Sequence, residues 1–343
     1  MSTAIRLGTR ASLLARTQSG LVAEALRSAL GREVELVDVR TEGDVTTAPL
    51  ASLGGTGVFV SALREALLAG EVDVAVHSLK DLPTGPAEGI TIAAIPVRED
   101  PRDVLVARDG LTLGELPAGA RVGTGSPRRV AQIAALGMGL KLVGVRGNVD
   151  TRISHVTAGD LDAVVLARAG LARLGRTDEI TESIDPIQVL PAPGQGALAV
   201  ECRAGDPLAA QVRAALDDPS TRACVEAERT VLAELEAGCS APVGALAEVV
   251  EGDAGEELWI RAVALAPDGS RSVRLSASGP LTDPVGVGRK LAAEMVADGA
   301  AALIDTAAPA PTPPTPPESD PPDPAAPTRP AAAPQHPETK RPS

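Results

Sequence analysis

Glu71 to Pro83 reads EVDVAVHSLKDLP. Val72, Val74 and Val76, with Ala75 between them, form an apolar β-branched run, long enough for a strand buried on both faces and too short for a helix. His77, Ser78, Lys80 and Asp81 follow at once, and Pro83 bars a simple continuation of the strand's hydrogen bonding. Polar side chains therefore gather at the carboxyl end of a buried strand, which is where open α/β sheets bind ligands. Taken alone, the same residues also fit a solvated turn with a chance Lys80–Asp81 pair. The rest of the chain decides between the two.

The pattern around this strand occurs twice. Ile5-Arg6-Leu7-Gly8-Thr9-Arg10-Ala11-Ser12 reads as a strand, a glycine turn and a helix-capping serine, and Arg121-Val122-Gly123-Thr124-Gly125-Ser126-Pro127 repeats that plan. Helical periodicity follows in each case, over Leu13 to Leu26 and over Val130 to Leu136. Second strands are expected over Val34 to Arg40 and Lys141 to Arg146, and third strands over Val72 to Val76 and Leu161 to Val165. Three matches in the same order predict two similar α/β domains facing a cleft, although short βα units also resemble one another by chance.

The boundaries expected are residues 1–96 with 197–215 for the first domain and 97–196 for the second. Pro191-Ala192-Pro193-Gly194-Gln195-Gly196 marks the crossing, and the strand over Ala197 to Val200 is expected to return to the first domain. Thr41 to Val60, rich in Gly and Thr, is expected to be a mobile loop near the cleft.

A third, α+β domain is expected over 216–306. Thr221 to Glu236 has helical periodicity with Gly238 at the expected C-cap, and three antiparallel strands follow over Val243 to Val250, Leu258 to Ala266 and Ser272 to Ser278. Val285 to Gly299 reads as a closing helix. Residues 307–343 hold 14 of the chain's 30 prolines and almost no bulky apolar side chain, so this tail is expected to stay disordered.

Composition narrows the function. The 343 residues suffice for two or three domains with cores, and a net charge of -13 with one Phe, one Trp and no Tyr argues against a nucleic-acid or anionic-membrane surface. No run has the length of a spanning helix or signal peptide, so a cytoplasmic location is expected. Cys202, Cys224 and Cys239 have no metal-ligand spacing and predict neither zinc nor a disulfide framework.

The chemistry is expected from arginines and one cysteine. Pro127 suits the first helical position, which puts Arg128 and Arg129 in a first turn where the helix dipole disfavours cations. Two cations there make sense if an anion binds between them and the free N–H groups. Arg146 and Arg152 flank Gly147-Asn148 after the next strand, and Arg10 occupies the matching turn of the first domain. An acidic chain that aims several guanidinium groups at one cleft calls for a ligand bearing carboxylates or phosphates. Cys202 and Cys224 lie in a strand and a helix, as small buried hydrophobes do, whereas Cys239 lies in a glycine-bounded loop suited to a covalent role.

Val74-Ala75-Val76-His77-Ser78-Leu79-Lys80-Asp81-Leu82-Pro83, Arg146-Gly147-Asn148 with Arg152, Gly194-Gln195-Gly196-Ala197 and Gly238-Cys239-Ser240-Ala241-Pro242 together resemble the porphobilinogen deaminase family, also called hydroxymethylbilane synthases, from about Ile5 to Leu303. The resemblance implies two periplasmic-binding-protein-like domains and a small α+β domain. It also implies a monomeric transferase that joins four porphobilinogen molecules head to tail, releases ammonia at each step and frees hydroxymethylbilane for tetrapyrrole biosynthesis. A dipyrromethane cofactor would be held by a thioether to Cys239. By the same resemblance Asp81 is catalytic, while Ser78, Lys80, Thr124, Ser126, Arg128 and Arg129 contact the cofactor. Arg10, Arg146, Arg152 and Arg173 would bind the substrate's acetate and propionate groups. Departures exist: many relatives read Thr-Ser-Ser-Leu-Arg-Arg where this chain has Thr124-Gly125-Ser126-Pro127-Arg128-Arg129, many carry lysines where Ser52 and Thr56 stand, and Glu42 replaces a commonly basic residue.

Two other classes fit parts of the chain: a non-enzymatic binder of a small anion, and an interaction protein working through its proline-rich tail. An intact mass separates them, since a covalent dipyrrole belongs to the deaminase alone. Removal of the tail beyond about Thr306 is expected to leave the melting temperature and turnover close to wild type. A fall of several degrees would mean that the tail docks.

Overall fold

The structure is a computed structural model that describes residues 4–39, 57–238, 241–252 and 255–304. The first lobe is built on β1 (Ile5–Thr9), β2 (Val34–Asp38), β3 (Val74–Ser78), β4 (Ile90–Ala94) and β10 (Leu198–Arg203), in the order β2-β1-β3-β10-β4. β1 runs parallel to β2 and β3, whereas β10 is antiparallel to β3 and β4. Helix α1 (Leu13–Leu30) packs Val22, Ala23 and Leu26 on the sheet, because positions three and four apart share one face. Ser12 caps it by accepting from the Ala15 N–H at 3.3 Å, and Gly31 closes it in the left-handed conformation at φ 61°. Helix α2 (Gly57–Leu68) seals the other side through Leu63 and Leu67 against Val72 and Ala75.

The second lobe repeats the plan. β5 (Asp103–Ala107), β6 (Arg121–Gly123), β7 (Lys141–Val143), β8 (Ala163–Ala167) and β9 (Glu182–Ser183) lie in the order β7-β6-β8-β5-β9. Helices α3 (Pro127–Ala135), α4 (Val149–Thr157) and α5 (Arg168–Arg173) complete it. β7, β6 and β8 correspond in position and direction to β2, β1 and β3, as the sequence repeat predicts. In each sheet the fourth strand, β10 or β5, is antiparallel to the third and follows directly from a crossing between lobes. This is the arrangement of two similar α/β lobes that the sequence repeat predicts.

After β10, helix α6 (Pro207–Leu216) returns to the first sheet through Leu208 and Val212. The remaining elements form the α+β domain: α7 (Pro219–Glu234), β11 (Val243–Gly252), β12 (Gly255–Leu265), β13 (Ser272–Pro280), α8 (Pro284–Ala297) and α9 (Ala300–Ile304). The three strands are antiparallel in chain order. One sheet face buries Ala245, Leu258, Ile260 and Ala262 against Val231, Leu291 and Met295 of the helices. Alternation along the strands sends Leu246, Val263 and Leu265 to the other face, where they meet Ala131 and Leu190 of the second lobe.

Several expectations change. Of the segment expected as a loop over 41–60, residues 57–60 belong to α2 and the rest lies outside the described residues. Helix α7 ends at Glu234, and the positive φ of 51° near its end belongs to Glu236; Gly238 is not its C-cap. Cys239, Ser240 and the tail lie outside the described residues.

The lobes and the third domain converge on Glu228 of α7, which is fully buried. Its carboxylate takes both Nη atoms of Arg98 at 2.6 and 2.9 Å, together with the Gly194 N–H at 2.7 Å and the Ala247 N–H at 2.9 Å. Arg98 belongs to the first crossing and Gly194 to the second. Arg98 also donates from Nε to the Gln195 carbonyl at 2.7 Å. Next to it the two crossings touch: a Cβ on Gly196, at φ 88°, would lie 2.3 Å from the Glu99 carbonyl oxygen, so only glycine fits. Glu228→Gln leaves Arg98 buried without its counter-charge and is expected to cost about 3–5 kcal/mol. The readout is the urea midpoint, and a midpoint unchanged from wild type would mean that the ion pair holds nothing together.

Candidate active site

β3 ends at Ser78, and Leu79–Asp81 form a short 3-10 turn. Lys80 and Asp81 are therefore not in extended backbone, and the opposite-face rule for strands does not apply to them. Leu79 is buried and anchors the turn, whose Leu82 N–H returns to the Leu79 carbonyl at 3.1 Å. Arg229 of α7 fixes it from outside, donating to the carbonyls of Leu79, Leu82 and Pro83 at 3.2, 3.0 and 2.6 Å. Ser78 exchanges hydrogen bonds with the Gln18 amide at 3.1 and 3.3 Å. His77 points elsewhere: its Nε2 lies 3.2 Å from buried Glu201 of β10, which also takes Arg64 at 3.0 and 2.6 Å. Burial alone would raise the Glu201 pKa, yet His77 and Arg64 bring it down to about 2.

Across the cleft, Arg128 and Arg129 are 3% and 5% exposed in the first turn of α3. Their Nη2 atoms donate to the two oxygens of Asp103 at 2.8 and 2.7 Å. Arg128 also reaches the Leu190 carbonyl, and Arg129 the Val165 carbonyl at 2.9 Å. An internal carboxylate, absent from the sequence reading, thus lies against both guanidinium groups. Asp103 is fully buried, which alone would raise its pKa, but the two arginines and Gln195 hold it far below the usual carboxylate range. Gln195 donates from Nε2 to Asp103 Oδ1 and to the Pro101 carbonyl, both at 2.7 Å, and its Oε1 accepts from Lys80 Nζ at 3.2 Å. A buried chain of contacts thus joins the Lys80 turn to the arginines of the second lobe.

The electrostatics follow that geometry. Desolvation draws the Lys80 ammonium down to about 8, with Arg129 and Arg128 acting in the same direction and Asp81 and Asp103 opposing them. Burial and Arg129 also lower the Arg152 guanidinium, against Asp81, so Arg152 lies in the field of both. Lys80, Arg128, Arg129 and Arg152 stand against Asp81 and Asp103. The cluster carries excess positive charge in an acidic chain.

The other expected residues are placed as follows. Arg152 Nε donates to the Gly147 carbonyl at 2.9 Å, and Asn148 caps α4 through the Thr151 N–H at 2.8 Å. Arg146 is exposed beside that turn, and Arg10 is half-buried after β1, next to β3. Thr124 is buried and accepts from the Ser126 N–H at 3.2 Å; Ser126 occupies the N-cap of α3 without a side-chain capping bond. Gly125 has a local reason, since a Cβ there would lie 2.6 Å from the Val145 carbonyl oxygen. Arg173 is not brought into the cluster. It donates to the Gly196 carbonyl at 2.5 Å and lines a separate cavity of about 290 Å³ with Leu21, Val97 and Glu99. Cys202 and Cys224 are buried, and desolvation pushes both thiols up to about 12, as expected of inert side chains.

Asp103, Gln18 and Arg229 escape the sequence reading, and Gln195 enters it as part of a crossing and of the Gly194–Ala197 motif, with no role of its own. Asp103 opens the apolar run of β5, and a charge at the edge of such a run looks like a solvated strand end; its partners lie more than twenty residues away. The residues also fit the dipyrromethane that the resemblance implies. The Nε atoms of both Arg128 and Arg129 are buried with no hydrogen-bond partner, and two cleft donors facing a carboxylate-bearing pyrrole would use them.

Residues 5–211 match the family model described as "Porphobilinogen deaminase, dipyromethane cofactor binding domain", and residues 222–297 match "Porphobilinogen deaminase, C-terminal domain". A porphobilinogen deaminase of Nocardia farcinica is 59% identical over 307 residues, covering 88% of each chain. Those of Streptomyces coelicolor (porphobilinogen deaminase 1) and Mycobacterium tuberculosis are 58% and 59% identical over 88% of this chain and 97% and 98% of their own. Among solved structures, a periplasmic substrate-binding protein of an ABC transporter from Coxiella burnetii overlaps 64% of this chain and 94% of its own at TM-score 0.40 and 15% identity. Two family models that together span the three domains, and relatives close to 60% identical along most of their length, leave one assignment: the chain belongs to the porphobilinogen deaminase family.

Proposed function

We propose that this chain joins four porphobilinogen molecules into hydroxymethylbilane, with Asp81 as the catalytic carboxylate and Cys239 as the attachment point of the dipyrromethane primer. The observation that carries this reading is the cationic cluster of Lys80, Arg128, Arg129 and Arg152 next to Asp81. Each porphobilinogen brings an acetate and a propionate, so a growing chain accumulates negative charge that such a cluster offsets. Arg10 and Arg146 extend the recognition of those carboxylates, and Ser78, Thr124 and Ser126 complete the contacts; Arg173, committed to the Gly196 carbonyl, is left out of this set. The working division is 1–96 with 197–215, 97–196 and 216–306. Both lobes of the cleft come from one copy of the chain, which supports action as a monomer. Among the described residues no helix is long and apolar enough to cross a membrane, and we assign the reaction on these small acids to the cytoplasm.

The chemistry assigns Asp81 its work. When the C–N bond of porphobilinogen's aminomethyl group breaks and its nitrogen leaves as ammonia, the methylene carbon that remains on the ring becomes cationic and the charge spreads to the ring nitrogen. An ionised carboxylate only accepts hydrogen bonds and the ring N–H only donates one, so Asp81 is suited to hold that ring and offset its charge. When bound, the dipyrromethane supplies the free pyrrole carbon at which the new C–C bond forms. Lys80, Arg128 and Arg129 hold side-chain carboxylates away from the reacting carbon.

Asp81→Asn keeps the shape and removes the charge. A preorganised electrostatic contact of this type is worth about 2.7–4 kcal/mol, so kcat is expected to fall roughly a hundredfold to a thousandfold. Single-turnover deamination by the variant, reconstituted with preformed dipyrromethane, is the decisive measurement; a rate within about tenfold of wild type removes Asp81 from the mechanism. For Cys239, a serine hydroxyl is a far poorer nucleophile than a thiolate. Intact mass should therefore find Cys239→Ser folded but without the dipyrrole, while Cys202→Ser and Cys224→Ser retain it. Full occupancy in Cys239→Ser would exclude the site.

A further inference from the structure

Among the described residues the Lys80 ammonium donates to the Oε1 of Gln195 at 3.2 Å, and Gln195 is 1% exposed. The amide has no freedom to flip. Its Nε2 is committed to the Pro101 carbonyl and to Asp103 Oδ1, both at 2.7 Å, and both accept only. The same Asp103 oxygen takes Arg129 at 2.7 Å and the other takes Arg128 at 2.8 Å. Asp103 sits at the start of β5, immediately after one crossing, and Gln195 lies within the other.

We propose that Asp103 and Gln195 are positioning residues for the polymerisation: the buried chain Lys80–Gln195–Asp103–Arg128/Arg129 locks the ammonium of one lobe and the guanidinium pair of the other into one cationic unit that reads substrate carboxylates. Neither residue touches the reacting atoms. Asp103 aims both arginines and fixes the Gln195 amide, and Gln195 aims Lys80. The inference rests on the placement of the substrate in this cleft proposed above.

The charged groups facing Lys80 are Asp81 on its own turn, Asp103 from β5, and Arg128 and Arg129 from α3. Removing an acceptor or a negative charge from this set lowers the pH at which the ammonium loses its proton, and adding a negative charge raises it. The chain has four lysines, Lys80, Lys141, Lys290 and Lys340, of which Lys141 and Lys290 are exposed and serve as internal references. Competitive amine acylation across pH, read by peptide mass spectrometry on protein of equal dipyrromethane content, reports the Lys80 midpoint directly. Gln195→Leu is expected to move that midpoint down and Gln195→Glu to move it up, each by about one pH unit. The alkaline limb of kcat/KM should move with it in both variants.

Asp103→Asn is expected to lower the midpoint as well and to reduce kcat/KM at least tenfold; should it fail to fold, the Gln195 pair still decides. A purely structural role lowers the melting temperature of both Gln195 variants and leaves the Lys80 midpoint where it is, which would overturn the proposal. A midpoint that moves while the kinetic limb stays fixed would also overturn it, because the chain would then position a lysine the reaction does not use. The Asp81→Asn measurement is independent of either result and tests the assigned chemistry by itself.

Discussion

The carboxylate of Glu228 is the constraint on which the arrangement of the molecule depends. A two-lobed chain that crosses twice between its lobes has to hold two irregular segments side by side, and irregular backbone carries polar groups that need partners. Glu228 supplies them from a helix of the third domain: it takes Arg98 of one crossing, the Gly194 N–H of the other and the Ala247 N–H of its own sheet. The next residue, Arg229, is turned about 100° around the same helix and holds the carbonyls of Leu79, Leu82 and Pro83. One helical turn therefore fixes both the crossings and the turn that carries Asp81. The third domain is a structural part of the cleft as well as the domain that contains Cys239.

Charge placement is the second constraint. A chain of net charge -13 concentrates cations where its ligand brings carboxylates. Arg128 and Arg129 could not sit side by side and buried without an internal counter-ion, because their mutual repulsion and desolvation both disfavour the charged forms. Asp103 offsets one of the two charges and leaves the pair with a surplus. Lys80, drawn down to about 8 by the same desolvation, joins this surplus through Gln195. A cleft of this kind is balanced only when anionic groups enter it, which suits a substrate that adds carboxylates with every unit.

Much of this was legible in the sequence because it depends on local periodicity. The strand over Val74–Ser78 and the polar cluster after it follow from a β-branched run that ends in proline. The repeat of strand, glycine turn and capped helix gave two lobes, and the sheet orders carry the same correspondence strand by strand. Cys202 and Cys224 read as buried hydrophobes and are buried. Pro127 reads as the first residue of a helix and is. Each of these rests on neighbours within a few positions, where side-chain period and backbone preference settle the outcome.

The tertiary structure decided what local pattern does not encode. That Arg128 and Arg129 donate to an internal carboxylate, Asp103, depends on β5 arriving antiparallel beside β8, which places a residue 25 positions before Arg128 under the helix. That Glu236 takes the positive φ at the end of α7 while Gly238 does not, and that Lys80 and Asp81 lie in a 3-10 turn pinned by a residue almost 150 positions away, are of the same kind. The sequence by itself determined the lobes, their repeat and the residue types at the cleft, because those follow from periodicity and composition along the chain. Only the folded chain determined which charge meets which, because a buried ion pair is specified by the meeting of distant segments in a space without water, and nothing in the spacing of the residues records that meeting.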